Sequence, residues 1–280
     1  ASRRIRPFEY FWNNESRGDG ACQHRAVRSQ CGAPVAAGAL EQEVSAMRVD
    51  GIIFDKDGTL LDFSATWVPL NHQVALAAAK GDPELARRLL ASGGHDPDSD
   101  FVAPGSLLAA GDAGEVAAHW LPLLPHHDLE SLTNLVNSVF DRSAEVAVPL
   151  PATADVVSEL HGKGYRLGLA TSDSEAAARG FLSRWRLDNH FCFVAGWDSG
   201  HGRKPEPGML RAFARACDLP PETIAVIGDS PQDMRMGLEG GAGLLIGVLT
   251  GTASAGDLAP PAHGVLASLA ELPRYLAERA

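Results

Sequence analysis

Cations are in short supply in this sequence. Lys and Arg number 24 against 35 Asp and Glu, a formal net charge of −11. That balance excludes a general nucleic-acid-binding surface, though not a local cationic pocket for an anionic ligand. Cysteines are few: Cys22, Cys31, Cys192 and Cys217, with no pair at C-x-x-C spacing. A zinc or redox framework is therefore not indicated, and the thiols read as reduced, structural or incidental. No apolar run reaches the roughly 18–20 residues that a membrane-spanning helix needs. The start carries no apolar h-region of the kind that marks a secretory signal. No internal repeat is visible. Together these shortages predict a cytoplasmic protein whose partners include neither nucleic acid nor membrane.

What is present suits a globular fold. Of 280 residues, 45% are hydrophobic and 21% charged, enough for one or two domains with a sizeable core. Residues 1–46 differ from the rest. Arginines are scattered through them, Phe8, Tyr10, Phe11 and Trp12 cluster without a lasting period, and small polar residues follow. This segment reads as a disordered or non-native extension, since Met47 directly precedes the first good strand pattern. A regulatory tail is a second reading. A transit peptide is a third, weakened by Glu9, Glu15 and Asp19.

Residues 49–55, "VDGIIFD", form a short apolar run that predicts a buried strand. From about Trp67 to Val148 the spacing of Leu, Ala and Val is helical, with Gly and Pro clusters between segments. Strands and helices then alternate. Strands are expected at 165–172, 191–196, 223–230 and 243–251, and helices at 152–164, 174–187, 207–219 and 231–241. The residues from Gly264 onward read as a helical tail. Such alternation with short links predicts a Rossmann-like α/β fold, a parallel sheet covered on both faces, interrupted by a helical insert.

In a parallel sheet, ligands gather outside the carboxyl ends of the strands. Polar residues follow the first four predicted strands: Asp55 and Asp57, then Thr171 and Ser172, then Lys204, then Asp229 and Asp233. Taken singly, each has a plainer reading. Asp55-Lys56-Asp57-Gly58 suits a turn. Thr171 and Ser172 suit a helix cap, Lys204 a surface lysine, and Asp229 and Asp233 a cap and an exposed helical residue. Their joint order at successive strand ends points instead to one shared site.

With these motifs in view, the sequence resembles the haloacid dehalogenase-like (HAD) superfamily on its phosphatase side. The first motif of that family, D-x-D-G-T-L, stands here as Asp55-Lys56-Asp57-Gly58-Thr59-Leu60. The second is "LGLATS" with Thr171, the third "RKPEPG" with Lys204, and the fourth "GDSPQD" with Asp229 and Asp233. Together they span residues 49 to about 250. The first motif is highly specific; the others are weak alone and strong together. The fourth is similar to the G-D-S-x-x-D of phosphoglycolate phosphatase-like members. The resemblance implies a HAD-like core over residues 47–64 and 150–280 and a mobile all-helical cap over 65–149.

The resemblance also implies roles. Asp55 is the expected nucleophile, forming an aspartyl-phosphate. Asp57 is the expected general acid and then base. Gly58 permits close backbone approach and offers N–H groups to phosphate. Thr171, Ser172 and Lys204 are expected to bind phosphate, Lys204 also holding Asp55 ionised. Hard oxygen ligands imply Mg²⁺ on Asp55, Asp229, the Asp57 carbonyl and Asp233, the last directly or through water. Lys56 is read as lying on the opposite side of the turn from the aspartates, outside the chemistry. Dehalogenating relatives lack an acid at the Asp57 position, and ATP-driven pumps carry Thr there. Asp57 thus favours a phosphatase or phosphomutase.

Within the insert, Trp67, His72, Arg87, Arg88, His119, His126 and His127 are candidates to meet the leaving group, with Asp62-Phe63 as the hinge. Adjacent His126 and His127 read as a surface or lid loop, and Trp67 and Trp120 as packing residues. A small phosphorylated metabolite is the expected partner, phosphoglycolate being the leading name by resemblance. The expected function is Mg²⁺-dependent hydrolysis of a small phosphate monoester. A sugar phosphomutase and a non-catalytic phosphate-binding or scaffold protein are the alternatives.

Overall fold

A computed structural model describes residues 48–279; the extension expected at residues 1–46 lies outside them. A six-stranded parallel sheet is built from β1 (Gly51–Phe54), β2 (Arg166–Ala170), β3 (Phe191–Ala195), β4 (Ile224–Gly228), β5 (Leu244–Val248) and β6 (Gly264–Leu266), in the order β3-β2-β1-β4-β5-β6. β1 is central and fully buried, so it reads as a continuous apolar run rather than an alternation. Successive side chains still point to opposite faces. Ile52 and Phe54 join one apolar cluster, and Ile53 joins the other. The first face is covered by α7 (Thr153–Gly162), α8 (Glu175–Arg184) and α12 (Leu272–Ala277). The second is covered by α9 (Gly208–Cys217), α10 (Pro231–Gly240) and α11 (Ala255–Leu258).

The chain leaves β1 for β2 on one side and returns to β4 on the other. The crevice where strand order reverses therefore opens at the carboxyl end of β1, where a doubly wound sheet takes its ligand.

The tail corrects one expectation. Gly264–Leu266 is the edge strand β6, paired with β5 from Ile246 to Val248, and helix resumes only at Leu269. Three residues are too few for their pattern to be told from an adjoining helix.

Between β1 and β2 lie α1 (Phe63–Ala78), α2 (Pro83–Ser92), α3 (Leu107–Ala110), α4 (Ala113–Trp120), α5 (Leu129–Phe140) and α6 (Ser143–Val146). Aspartates start four of these helices: Asp62, Asp82, Asp112 and Asp128 accept hydrogen bonds from first-turn N–H groups. The insert has its own core, with Trp120 buried against Leu89, Leu132 and Val136. The Trp120 Nε1–H donates to the Leu89 carbonyl at 2.9 Å, so burying the indole leaves no orphaned donor. Two antiparallel stretches connect insert and sheet. Asp62 N donates to Val148 O at 2.7 Å, and Leu150 N donates to Leu60 O at 3.0 Å. Among the described residues no helix is long and apolar enough to cross a membrane.

Candidate active site

The strand ends converge. Asp55 follows β1, its N–H held by the Ile227 carbonyl at 2.8 Å. Asp229 follows β4, and Asp233 lies in the first turn of α10. Ligand oxygens of Asp55, Asp229 and Asp233 lie within 4.8 Å of one another, and all three residues are buried. The capping box of α10 holds Asp233: its Oδ2 accepts from Ser230 N at 3.1 Å and Ser230 Oγ at 2.6 Å. Its Oδ1 accepts from Lys204 Nζ at 2.6 Å, and the same ammonium donates to Asp55 Oδ1 at 2.5 Å. The Lys204 side chain is only 2% exposed.

One ammonium is a poor match for three buried carboxylates. Burial pushes Asp55 up to about 7, with Lys204 pulling against it and Asp233 and Asp57 adding repulsion. Burial, with the charges of Asp55 and Asp233, drives Asp229 well above the ordinary carboxylate range. Burial lowers the pKa of Lys204, but Asp233 and Asp55 more than offset this and leave it raised. A cluster of hard oxygen donors with excess negative charge is chemically suited to a divalent cation.

Asp57 stands beside this cluster. Its Oδ1 accepts from Trp67 Nε1 at 2.5 Å and from Lys56 Nζ at 2.9 Å, and its Oδ2 accepts from Thr171 Oγ1 at 3.3 Å. Lys56 also donates to Asp173 Oδ2 at 3.0 Å, and its side chain is 1% exposed. The expectation for Lys56 is thus overturned: it lies on the same side as Asp57 and bonds to it. Strand alternation misleads here because the chain has already left β1. The Lys56 carbonyl accepts from Leu60 N at 2.9 Å and Leu61 N at 3.0 Å, so this segment is a tight turn.

Gly58 allows the close backbone approach expected of it, but its own N–H is engaged within the turn. Its N–H donates to Leu61 O at 2.9 Å and is not offered to a phosphate. Its φ of +78° is left-handed, and a Cβ there would stand 2.6 Å from Asp229 Oδ2 and 2.7 Å from Gly251 Cα. Glycine is required for the turn and the close approach. Thr171 is fully buried, and its hydroxyl donates to Asp57. Ser172 lines the cavity together with Asp55, Asp57, Lys204 and Asp229.

The loop after β5 contributes groups that the sequence reading passed over. Thr252 N donates to Asp229 Oδ2 at 3.1 Å, and Thr250 Oγ1 donates to Gly58 O at 2.6 Å. The strand-end rule was the signal available, applied to one more strand. Asp173 was likewise not assigned to the site, and Trp67 was expected to pack or to meet the leaving group rather than to bond Asp57. Of the insert candidates, only Trp67 lines the cavity. His127 Nε2 lies 3.2 Å from the Ala78 carbonyl, and Arg87 pairs with Asp98. His72, His95 and Asp100 form a separate group, His72 Nε2 being 2.7 Å from Asp100 Oδ1.

A parallel α/β sheet with acidic residues clustered at its switch point places the chain among doubly wound α/β proteins with a ligand site at the strand ends. The chain belongs to the haloacid dehalogenase-like hydrolase family, whose model matches residues 49–241. It is 29% identical over 242 residues to a phosphoglycolate phosphatase of Cereibacter sphaeroides, across 81% of this chain and 97% of that one. Among solved structures, a haloacid dehalogenase-like family hydrolase from Streptococcus pneumoniae aligns with a TM-score of 0.60 at 18% identity, covering 81% of this chain and 98% of that one. A Thermotoga maritima structure provisionally assigned as a β-phosphoglucomutase aligns with a TM-score of 0.62 at 22% identity, covering 83% and 100%. The two structural likenesses share the fold, and the family match marks the chain as a haloacid dehalogenase-like hydrolase.

Proposed function

We propose that this enzyme hydrolyses a small organic phosphate monoester in two steps through Asp55. In the first, an Asp55 carboxylate oxygen attacks phosphorus, the ester P–O bond breaks, and Asp57 gives its proton to the departing alkoxide. In the second, Asp57 takes a proton from water, the water oxygen bonds to phosphorus, and the Asp55–phosphoryl bond breaks. Inorganic phosphate leaves and Asp55 is restored. Lys204 orients Asp55 and offers positive charge to the phosphoryl oxygens, with Ser172 beside them. Trp67, Lys56 and Thr171 fix the Asp57 carboxylate. Asp55, Asp229 and Asp233, with the Asp57 carbonyl, are suited to hold Mg²⁺. When bound, the ion supplies Lewis-acid polarisation and screens the nucleophile from the phosphate charge. The helices between β1 and β2 act as the cap that excludes water, hinged on the paired segments at Asp62 and Val148.

The observation that most supports this reading is the gathering of Asp55, Asp229 and Asp233 around Lys204, beside Asp57. The test is phosphate release from a panel of esters with Mg²⁺, phosphoglycolate first because relatives carry that name. Release that disappears in Asp55→Asn supports hydrolysis. Isomerised sugar phosphate without net release favours a mutase, and folded protein inert toward every ester favours a binding role.

A further inference from the structure

Resting on the phosphatase reading, we propose that the substrate's leaving group is an apolar or aromatic alcohol that carries no negative charge. The cavity at the acidic cluster has a volume of about 360 Å³, within the range of small-molecule sites. A two-carbon leaving group would leave much of it to water. Beyond the carboxylates, the wall is mixed: Asn137, Gln232 and several Ser and Thr residues line it beside an apolar group. Trp67 and Phe140 meet edge to face at 5.3 Å between ring centroids, and both line the cavity. Leu107 and Leu108 of α3 and Trp197 after β3 extend that wall. These apolar residues gain by covering a hydrocarbon or ring.

The distribution of charge points the same way. Among the described residues Lys204 is the one cation lining the cavity, and its ammonium is held by Asp55 and Asp233 at the phosphate end. Lys56 is buried behind Asp57, tied to Asp57 and Asp173. Arg203 is paired with Asp112 and lies over the Trp197 ring at 4.8 Å. A carboxylate on the leaving group would thus meet no free cation. It would instead face Asp141 and Asp198, which also line the cavity and have no salt-bridge partner among the described residues. An uncharged ring avoids that repulsion and stacks against Trp67, Phe140 or Trp197. The hydrolytic step is unchanged: the ester P–O bond breaks and the alkoxide leaves with a proton from Asp57.

Benzyl phosphate and 2-phosphoglycolate are the probes, since both release an alkoxide and differ mainly in ring against carboxylate. Two measurements are made with Mg²⁺: kcat/KM on the wild type, and calorimetric affinity on Asp55→Asn. Benzyl phosphate is expected to be favoured by about tenfold or more in both. Leu107→Arg, which supplies the missing cation, should cut that ratio by about tenfold, chiefly by improving phosphoglycolate. Equal or better use and binding of phosphoglycolate by the wild-type cavity would overturn the inference. Should the wild type turn over neither these esters nor any other of the panel, the hydrolytic reading falls, and the affinity ratio in Asp55→Asn still decides whether the cavity prefers a neutral ring.

Discussion

Trp67, from the first helix of the insert, donates its indole N–H to Oδ1 of Asp57 at 2.5 Å. A residue of the helical insert therefore orients a carboxylate that follows β1. In the proposed cap, closure of the insert and alignment of the proton donor would be one event. Trp67→Phe keeps the ring and loses the donor. Hydrogen bonds to charged groups contribute about 1.5–3 kcal/mol, so kcat should fall by about tenfold or more. Steady-state kinetics separate this from a change in KM alone, which would mean that Trp67 only contacts substrate.

Lys56 links two carboxylates, Asp57 and Asp173, from within the protein. Removing one partner of a buried ion pair typically costs about 3–5 kcal/mol, because the other charge is left uncompensated. Lys56→Met should therefore lower the unfolding free energy obtained from chemical denaturation by an amount of that order. Adding Asp173→Asn should recover part of the loss. A variant as stable as the wild type would mean that water already satisfies these carboxylates.

Metal-free protein should lose stability as pH rises from about 4 to about 7. Asp55 has its pKa raised from 3.8 to about 7 by burial. Between those values the folded state holds more protons than the unfolded one, so raising the pH favours unfolding. The N-cap aspartates Asp128 and Asp257, whose pKa values are lowered mainly by hydrogen bonds with Ser131 and Ser254, act in the opposite sense only below that window. Thermal melting of EDTA-treated protein should give a lower Tm at pH 8 than at pH 5.5. Mg²⁺ should raise Tm more at pH 8, where protons no longer compete for the carboxylates, by up to about 2.7 kcal/mol of stability at a hundredfold excess over Kd. Asp55→Asn should flatten the slope. A Mg²⁺ effect independent of pH would remove the carboxylate cluster as its site.

Arg203 is bonded to Asp112, the N-cap of α4, and lies over Trp197. It joins the segment before Lys204 to the insert. The arginine is half exposed, so the pair should contribute less than about 1 kcal/mol to global stability. Its effect should appear in closure instead. Arg203→Ala is expected to leave Tm nearly unchanged while KM for a turned-over ester rises about threefold or more, the scale of a contact worth under about 1 kcal/mol. A fall in Tm with KM unaltered would assign the pair to folding only.

The sheet was legible because its signals are local. Buried parallel strands need continuous apolar runs, and "GIIF", "RLGLA", "IAVIG" and "LLIGV" have them. The order Asp55 and Asp57, Thr171, Lys204, Asp229 and Asp233 was legible too, since loops at strand carboxyl ends share one rim whatever the details of packing. β6 was missed because three residues beside a helical pattern carry too little periodicity. The Gly58 N–H was misassigned because a turn's hydrogen bonds depend on how the turn closes, here onto Leu61.

The chain's own pattern thus carries the class of fold, the family and the set of chemically active residue types, all of which depend on short-range regularities. Tertiary packing decides where Lys56 points, which tryptophan reaches Asp57, and that one lysine must serve three buried carboxylates. It also decides that Trp67, Phe140, Leu107 and Trp197 share one cavity wall, and that the cavity lacks a free cation among the described residues. Those relationships join positions far apart in sequence, such as Lys56 with Asp173 and Asp55 with Lys204. Electrostatic and packing energies depend on distances through space, and no local pattern encodes them.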